Sequence, residues 1–407
     1  MALRLGYLIP EFPGQTHVFF WREVVALREM GVIVSLVSTR RTAPEACRHS
    51  FADEARRETY YVYPPVAARS VKTLAVRPGS VLKALGYVFG LRESGAKAKA
   101  KVIAMLACAA DLVSFAREVG LEHIHGHSCA DAAHLLALCR ILGGPTYSLT
   151  LHGDLPVYGV DHCSKMARAS LVSTDGSHLK TQIVNRVGFP EERILSTCMG
   201  LDTSQFAPDG RRQYVPGKLH LATVARLDGC KGHTHALAAM RLAVDQGCDI
   251  RYSIAGKGAH RTAIEAEVNR LGLRDRVALV GTLGEHEVLE LLLTSDAFIL
   301  SSVGLGEAFP ISVMEAMSCG LPVIASIIGA TSDMITDGES GFLVEQRDEA
   351  GLAEGLIRLT NDVDLRRRMG AAARVRAENG FDVRVTAARL LEEIERWRVN
   401  RSPKCAR

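Results

Sequence analysis

The sequence predicts an α/β protein built from two doubly wound parallel sheets, one in each half of the chain. Three observations support this fold class. With 407 residues, the chain is too long for one typical hydrophobic core. Short apolar runs alternate with loops and helix-length segments, as in successive strand–helix–strand units. The same pattern restarts at Leu219, after a polar stretch at 207–217 that we interpret as a linker.

The first half opens with an apolar strand at 3–9, a loop that contains Gly14, and a helix at 17–30. Gly14 lets the loop backbone come close to a ligand, although a single glycine suits a simple tight turn equally well. His152 follows another apolar strand, at the edge where open α/β sheets bind ligands. A functional role for this histidine is therefore favoured over a structural one. The remaining strands of this half are expected at 32–38, 122–127, 170–174 and 194–197.

Residues 66–101 differ in character from the rest of the chain. They hold eight lysines and arginines against a single acid, Glu93, and so carry a net charge of +7. Apolar side chains such as Leu82, Leu85 and Phe89 lie between the cations. A basic amphipathic segment of this kind can lie on anionic lipid, and a solvated helical hairpin explains the pattern equally well.

Composition limits the other classes of function. The net charge of +4 does not indicate a nucleic-acid binder. The sequence contains no run of 18 uncharged apolar residues, which a membrane span would require. The ten cysteines form no C-x2-C pairs, which indicates small buried side chains in a reducing compartment. The N-terminal apolar run is too short for a signal peptide. His123, His125 and His127 share one strand face, but no acid or cysteine completes a metal site at ligand spacing. We expect a cytoplasmic protein without a bound metal.

The second half contains a candidate diphosphate site. The strand at 219–225 ends in Arg226, and Lys231 follows in a short turn before a helix. Two cations beside the free N–H groups of a helix N-terminus can bind a diphosphate, although two ordinary surface cations remain an alternative. Strands at 252–255 and 277–280 then lead into loops that contain Gly256 and Thr282-Leu283.

A pair of glutamates marks the next unit. An apolar strand at 297–302 leads to a glycine-bearing loop and a helix that begins near Pro310. Glu307 lies in the loop, and Glu315 lies eight positions on, about one helical turn past the helix start. Carboxylates at such an edge can accept hydrogen bonds from sugar hydroxyls, although an isolated pair at this spacing occurs often by chance. Strands at 323–327 and 342–344 and an amphipathic helix at 385–399 complete the chain.

In this order and spacing, the motifs resemble the retaining glycosyltransferases of the GT-B fold, in particular the family 4-like members of the exopolysaccharide and colanic-acid type. The segments that carry the resemblance are VARLDGCKGH, GEAFPISVMEAMSCGLPVIAS, IIGATSDMITDGESGFLV, LTLHGD and IPEFPGQTHVFFWREV. The chain departs from the common pattern at three places. Many members have Gly-Gly at Pro13-Gly14, Glu-Gly-Phe-Gly at 307–310, where this chain has Glu-Ala-Phe-Pro, and Pro-Glu at Ser332-Asp333. These departures concern the details of donor contacts.

The resemblance implies a domain organisation of two facing Rossmann-like domains. It consists of an acceptor-side domain at 1–206, a linker at 207–217, a nucleotide-sugar donor domain at 218–384, and a C-terminal helix and tail at 385–407 that return to the first domain.

The resemblance also implies roles for single residues. Arg226 and Lys231 would neutralise the leaving diphosphate in place of a metal. Glu307 would hold donor-sugar hydroxyls and Glu315 the ribose hydroxyls, while His152 would lie beside the hydroxymethyl and anomeric region of the sugar. Backbone N–H groups near Gly14 and Phe309 would touch phosphate or sugar, and the loop around Thr282 and Leu283 would face the base. The other donor-binding positions are Gly256, Ala308, Pro310 and Ile311.

The implied activity is retaining transfer of a hexose to a polysaccharide or a lipid-linked glycan, without metal, cofactor or protein nucleophile. Glucose from UDP-glucose is the first choice of donor, and GDP-mannose and other UDP-sugars remain open. A further expectation is a peripheral position at the inner face of the plasma membrane through residues 66–101. Two alternatives remain, a sugar-nucleotide 2-epimerase of the same fold and a non-catalytic sugar-nucleotide-binding partner.

Overall fold

The structure is a computed structural model that describes residues 2–47, 49–304 and 307–398. The chain forms two compact units, of which the first comprises Met1–Gly200 with Val383–Arg407 and the second Leu201–Asp382. The stretch 207–217, interpreted from the sequence as a linker, lies within the second unit.

Seven parallel strands form the sheet of the first unit, in the order β3-β2-β1-β4-β5-β6-β7. The chain runs outward in one direction from β1 and in the other from β4, so these two neighbours form the switch point of the sheet. A short strand rich in tyrosine, β3, is not among the predicted strands. The bounds are β1 Arg4–Ile9, β2 Ile33–Arg40, β3 Tyr60–Tyr63, β4 His123–Gly126, β5 Thr146–Leu151, β6 Val172–Asp175 and β7 Ile194–Thr197.

Helices cover this sheet, and a continuous apolar core of leucine, valine and alanine side chains lies between helices and strands. The predicted basic segment 66–101 folds as two short helices and the start of a long one. The bounds are α1 Val18–Glu29, α2 Ala52–Glu58, α3 Ala67–Ala75, α4 Pro78–Phe89, α5 Ala96–Glu118, α6 Asp131–Ile141, α7 His162–Met166 and α8 Ser177–Val187.

The second unit repeats this plan with six parallel strands in the order β10-β9-β8-β11-β12-β13. The switch point therefore lies between β8 and β11. All residues of β11 and β12 are buried, which explains why both strands are mainly apolar in sequence. The bounds are β8 Lys218–Val224, β9 Asp249–Ala255, β10 Val277–Gly281, β11 Ala297–Leu300, β12 Val323–Ser326 and β13 Gly341–Val344.

Seven helices follow within the described part of this unit. They are α9 His233–Asp245, α10 Arg261–Arg270, α11 Glu285–Thr294, α12 Ile311–Ser318, α13 Thr331–Met334, α14 Glu349–Asn361 and α15 Val363–Gly380. Together with the strands, they confirm the predicted α/β class with two Rossmann-like domains.

The last helix, α16 (Val383–Arg398), follows the second unit in the chain but belongs to the first. Its Leu390 and Ile394 are buried in the same apolar cluster as Phe20 and Leu27 of α1. This confirms the expected return of the C-terminal helix to the N-terminal domain. In the described ranges, no helix has the length and apolarity that crossing a membrane requires.

Candidate functional site

The carboxyl edge of the second sheet holds the predicted diphosphate residues. Arg226 follows β8, and Lys231 ends a short 3-10 turn, Gly229–Lys231, just before α9. The Ser301 hydroxyl, directly after β11, donates a hydrogen bond of 2.8 Å to the carbonyl of Gly232. This bond ties the turn to the end of the neighbouring strand and places Lys231 over the switch point.

Lys231 and Glu307, which the sequence assigns to different parts of a donor, contact each other directly. The Lys231 Nζ lies 2.5 Å from Glu307 Oε2, and their side chains are only 12% and 8% exposed. The Ser302 hydroxyl donates to the same carboxylate oxygen at 2.8 Å. Each charge thus has its counter-charge within the protein, in a site shielded from water.

Arg226 has a different environment. Its guanidinium pairs with Asp228 at 2.8 Å, and the side chain is 68% exposed. An exposed pair of this kind contributes little to stability, so the arginine can change partner at low cost. Arg226 and Lys231 therefore lie in one segment, but only Lys231 is held rigidly in the site.

The predicted loop positions lie along the same edge. Gly256 follows β9 with φ +147°, and a Cβ there would lie 1.9 Å from the carbonyl oxygen of Ala225, so only glycine fits. Thr282, which is exposed, and Leu283 follow β10, two strands from β8. The described strand order therefore brings these positions to the same edge as the cations.

The loop before α12 is in close backbone contact with the segment that follows β12. The Ala330 N–H donates to the carbonyl of Ala308 at 2.8 Å. Gly329 has φ +55°, and a Cβ there would lie 1.9 Å from the carbonyl oxygen of Glu307. Gly329 thus allows the close approach that fixes the position of Glu307, a role that the sequence alone does not indicate.

Helix α12 begins where the glutamate motif predicts. Pro310 precedes its first residue, Ile311, and Glu315 is half-buried one turn further on. The Phe309 ring packs edge-on against Phe381, with 5.8 Å between the ring centroids. The predicted positions 307–311 and 315 thus form one continuous stretch beside the switch point.

In the first unit, His152 follows β5 and is fixed on three sides. Its backbone N–H donates to the Tyr158 hydroxyl at 2.7 Å. Its Nδ1 lies 2.8 Å from Asp175 Oδ2, and its Nε2 lies 3.2 Å from His127 Nδ1. The side chain remains 21% exposed, so one part of the ring is accessible.

Gly14 lies near the same edge, in the loop between β1 and α1. Its carbonyl accepts a hydrogen bond from the His17 N–H, and the His17 ring packs against Phe20, which in turn contacts His152. The structure thus places both predicted residues of the first unit beside its switch point.

The histidines of β4 form a buried ladder with hydroxyl groups of β5. The His125 nitrogens lie 2.7 Å from the Ser148 hydroxyl and 2.8 Å from the Thr150 hydroxyl. His123 is bonded in the same manner to Thr146 and Ser148. Burial lowers the pKa of His125 to about 3, so this imidazole is neutral at physiological pH.

An acid that spacing along the chain does not reveal joins this ladder. Glu23 of α1 lies with His125 and His127 so that one ligand atom from each falls within 4.8 Å of the others. The three side chains are of the types that bind transition metals. Because both nitrogens of His125 already have hydroxyl partners, an ion there would have to replace one of those bonds. The expectation of no metal stays a prediction.

Comparisons with known proteins agree with this architecture. Residues 211–376 match the family described as glycosyl transferases group 1. The putative colanic acid biosynthesis glycosyltransferase WcaL of Escherichia coli K12 is 26% identical over 411 residues, covering 97% of this chain and 100% of that protein. The amylovoran biosynthesis glycosyltransferase AmsK of Erwinia amylovora is 26% identical over 412 residues, with the same coverage.

Among solved structures, Anabaena Alr3699/HepE in complex with UDP has a TM-score of 0.73 at 16% identity, over 97% of this chain and 100% of that chain. A structure of the same protein in complex with UDP-glucose has a TM-score of 0.67 at 16% identity, over 96% and 99% of the two chains. The chain therefore has the GT-B fold, its residues 211–376 match the family described as glycosyl transferases group 1, and nearly its whole length is similar in sequence to colanic acid and amylovoran glycosyltransferases.

Proposed function

We propose that this chain is a glycosyltransferase that moves a hexose from a nucleotide sugar to a glycan acceptor in exopolysaccharide biosynthesis. The observation that carries the proposal is the buried contact of Lys231 with Glu307 at the switch point of the second sheet. These two residues lie in the segment that matches glycosyl transferases group 1. The full-length similarity to two glycosyltransferases of named polysaccharides supports the acceptor class.

The donor would exchange partners with the existing ion pair. A diphosphate gives Lys231 a new anion, and sugar hydroxyls give the Glu307 carboxylate new donors. Arg226 is free to turn from Asp228 towards the same diphosphate. Because the protein itself supplies these cations, we propose a metal-independent transfer. Retention would follow from front-face attack, in which the leaving phosphate takes the acceptor proton and no protein nucleophile is used.

We propose UDP-glucose as the donor, since the resemblance of the motifs suggests it and HepE has been solved with it. Incubation with UDP-glucose, GDP-mannose and other UDP-sugars, followed by nucleoside diphosphate release, tests this choice. An NMR spectrum of the product gives the anomeric configuration and tests retention. An epimerase would convert the sugar without needing an acceptor, and a non-catalytic partner would bind the donor without turnover. Either outcome would refute the transferase proposal.

The acceptor would bind a cavity of about 470 Å³ in the first unit. Apolar side chains from β3, α5 and α6 line its interior, while the ion pairs Arg40–Glu11 and Lys101–Asp131 also border it. A cavity with an apolar interior and charged groups suits an amphipathic acceptor such as a lipid-linked glycan. Its apolar lining includes Val62, Met105, Ala132 and Leu135.

Helix α4 offers a surface for the membrane that would carry such an acceptor. Leu82 and Phe89 are 70% and 68% exposed, and their spacing of seven residues places them on one helix face. Leu85, expected from the sequence to join them, instead packs against the core. Lys83 and Lys97 are exposed nearby in the chain. We propose that this basic segment binds the inner, anionic face of the plasma membrane, each cation contributing about 1 kcal/mol.

Cosedimentation with vesicles of phosphatidylglycerol and phosphatidylethanolamine tests this surface, with phosphatidylcholine vesicles as the neutral reference. Binding should weaken with salt, and changing Lys83, Arg92, Lys97 and Lys99 together to Glu should abolish it while nucleotide affinity stays unchanged. A control with the same charge change carries Glu at Arg186, Arg251, Arg274 and Arg368, which are exposed elsewhere. Absence of wild-type binding at low salt, or equal loss in the control, would contradict the proposal.

A further inference from the structure

Asp175, His152, His127 and Glu23 form a row of four side chains in the first unit, and the row includes the partly exposed ring of His152. Asp175 Oδ2 lies 2.8 Å from His152 Nδ1, and His152 Nε2 lies 3.2 Å from His127 Nδ1. The two imidazole rings are nearly parallel, with 7° between their planes. Beyond them, His127 Nε2 lies 3.8 Å from Glu23 Oε1, which accepts a hydrogen bond from the Tyr7 hydroxyl. The order of the row is therefore acid, histidine, histidine, acid.

Hydrogen-bond chemistry fixes the hydrogens in this row. A carboxylate can only accept, so His152 Nδ1 carries the hydrogen that it shares with Asp175. Burial and the neighbouring histidines lower the pKa of His127 well below its usual value, so that His127 has a single ring hydrogen. A neutral His152 has a bare Nε2, which then accepts that hydrogen from His127 Nδ1. Both nitrogens of His152 are thereby committed to partners inside the protein.

We propose that Asp175 and His127 are positioning residues that hold His152 in one ring orientation and in the Nδ1–H form. The catalytic consequence rests on the proposed transferase function, in which His152 lies beside the donor sugar. The geometry of the row itself does not depend on that function.

The neighbouring ladder of β4 and β5 shows what a purely structural arrangement looks like in this protein. His123 and His125 have a hydroxyl partner on every ring nitrogen. In the row, by contrast, Asp175 Oδ1 and His127 Nε2 are buried without a hydrogen-bond partner in the described part of the chain. Buried polar atoms without a protein partner are uncommon in folded proteins. The row therefore differs from the ladder, in which every ring nitrogen has a hydroxyl partner.

NMR of the full chain with ¹⁵N-labelled histidine tests the row without any assay of transfer. Two-bond ring correlations distinguish a protonated from a bare nitrogen, and the spectrum of His152→Gln identifies the His152 signals. We expect Nδ1–H in the wild-type protein. In Asp175→Asn the amide offers both an acceptor and a donor, so the Nε2–H form becomes populated as well. Wild-type His152 in the Nε2–H form would overturn the proposal even if every variant failed to fold.

Kinetic measurements then test whether the ring orientation of His152 affects the rate of transfer. Misplacement of a reacting group by about 1 Å can cost about a hundredfold in rate, so we expect Asp175→Asn to lose roughly this factor in kcat while KM for the donor stays near its wild-type value. His127→Phe, which keeps a ring but no donor, should lose less. His123→Asn is the matched control, because His123 is equally buried on β4 and does not contact His152.

The NMR and kinetic measurements distinguish the proposed transferase function from the proposed positioning of His152. A fixed Nδ1–H form with no transferase activity would refute the proposed function and leave the positioning of His152 intact. A fixed Nδ1–H form that persists in Asp175→Asn, together with wild-type kcat, would refute the positioning role alone.

Discussion

Replacement of Glu23 by glutamine should stabilise the first unit, and more strongly as the pH rises. Glu23 is fully buried, and this burial raises the pKa of its carboxyl from 4.5 to about 7. The Tyr7 hydroxyl donates to its Oε1 at 2.8 Å, a bond that a glutamine carbonyl can also accept. Glutamine therefore keeps the shape and the hydrogen bond, and it removes the charge that the buried site disfavours.

The sign follows from where each state binds a proton. The folded protein keeps the Glu23 proton up to a pH of about 7, while the unfolded chain releases it near 4.5. The folded state thus binds more protons within this window, and its stability falls as the pH rises through it. A pKa raised by about 2.5 units corresponds to roughly 3 kcal/mol of destabilisation above pH 7, and to almost none below 4.5.

Tryptophan fluorescence reports on the unfolding of the first unit. The two tryptophans of the chain, Trp21 and Trp397, lie in α1 and α16 of the first unit. Urea unfolding of wild type and Glu23→Gln at pH 5 and pH 8 should give a stability difference that grows by about 2–3 kcal/mol between these pH values. Glu29→Gln, an exposed change on the same helix, is the control. A difference independent of pH, or a variant less stable at pH 8, would refute the reasoning.

Three further outcomes are expected in the second unit. Lys231→Ala should lower kcat/KM by roughly a hundred- to thousandfold, the usual effect of removing one donor to a developing charge, whereas Lys218→Ala at the opposite end of β8 should not. Turnover should survive EDTA, and loss of activity that magnesium or manganese restores would contradict this. Gly329→Ala should lower the melting temperature more than Gly338→Ala, because both have positive φ but only the first clashes with the Glu307 carbonyl.

Most of the strand framework follows from the sequence because both sheets are parallel and covered by helices. The bounds of β12 agree within one residue with the predicted strand at 323–327, since all four of its residues are buried and the first three form a continuous apolar run. The exception, β3, pairs only with β2 at the edge of the sheet. Its tyrosines are partly exposed, as Tyr63 is at 62%, so its pattern resembles that of a loop.

The sequence also predicts at which edge of the sheet a residue lies, but it does not predict which side chains that residue contacts. The motif spacing places Lys231 and Glu307 at the ends of neighbouring strands, and no local pattern indicates that they form a pair across 76 positions. Glu23 reaches the histidines of β4 from a helix about a hundred residues earlier, so spacing along β4 cannot reveal it. Asp175, by contrast, ends β6, and the rule that identifies His152 after β5 could have identified it as well.

In the proposed transfer reaction, the pair of Lys231 with Glu307 would allow the site to hold strong charges without binding its donor too tightly. A buried charge that loses its partner costs several kcal/mol, so the donor must replace the contacts it breaks. Exchange of Glu307 for a diphosphate on Lys231 would then yield little net binding energy in the ground state. As the bond to the sugar breaks, negative charge would grow on the leaving diphosphate, and its attraction to Lys231 would grow with it. Under the proposed function, the pair would therefore direct its stabilisation to the transition state, which is where stabilisation accelerates a reaction.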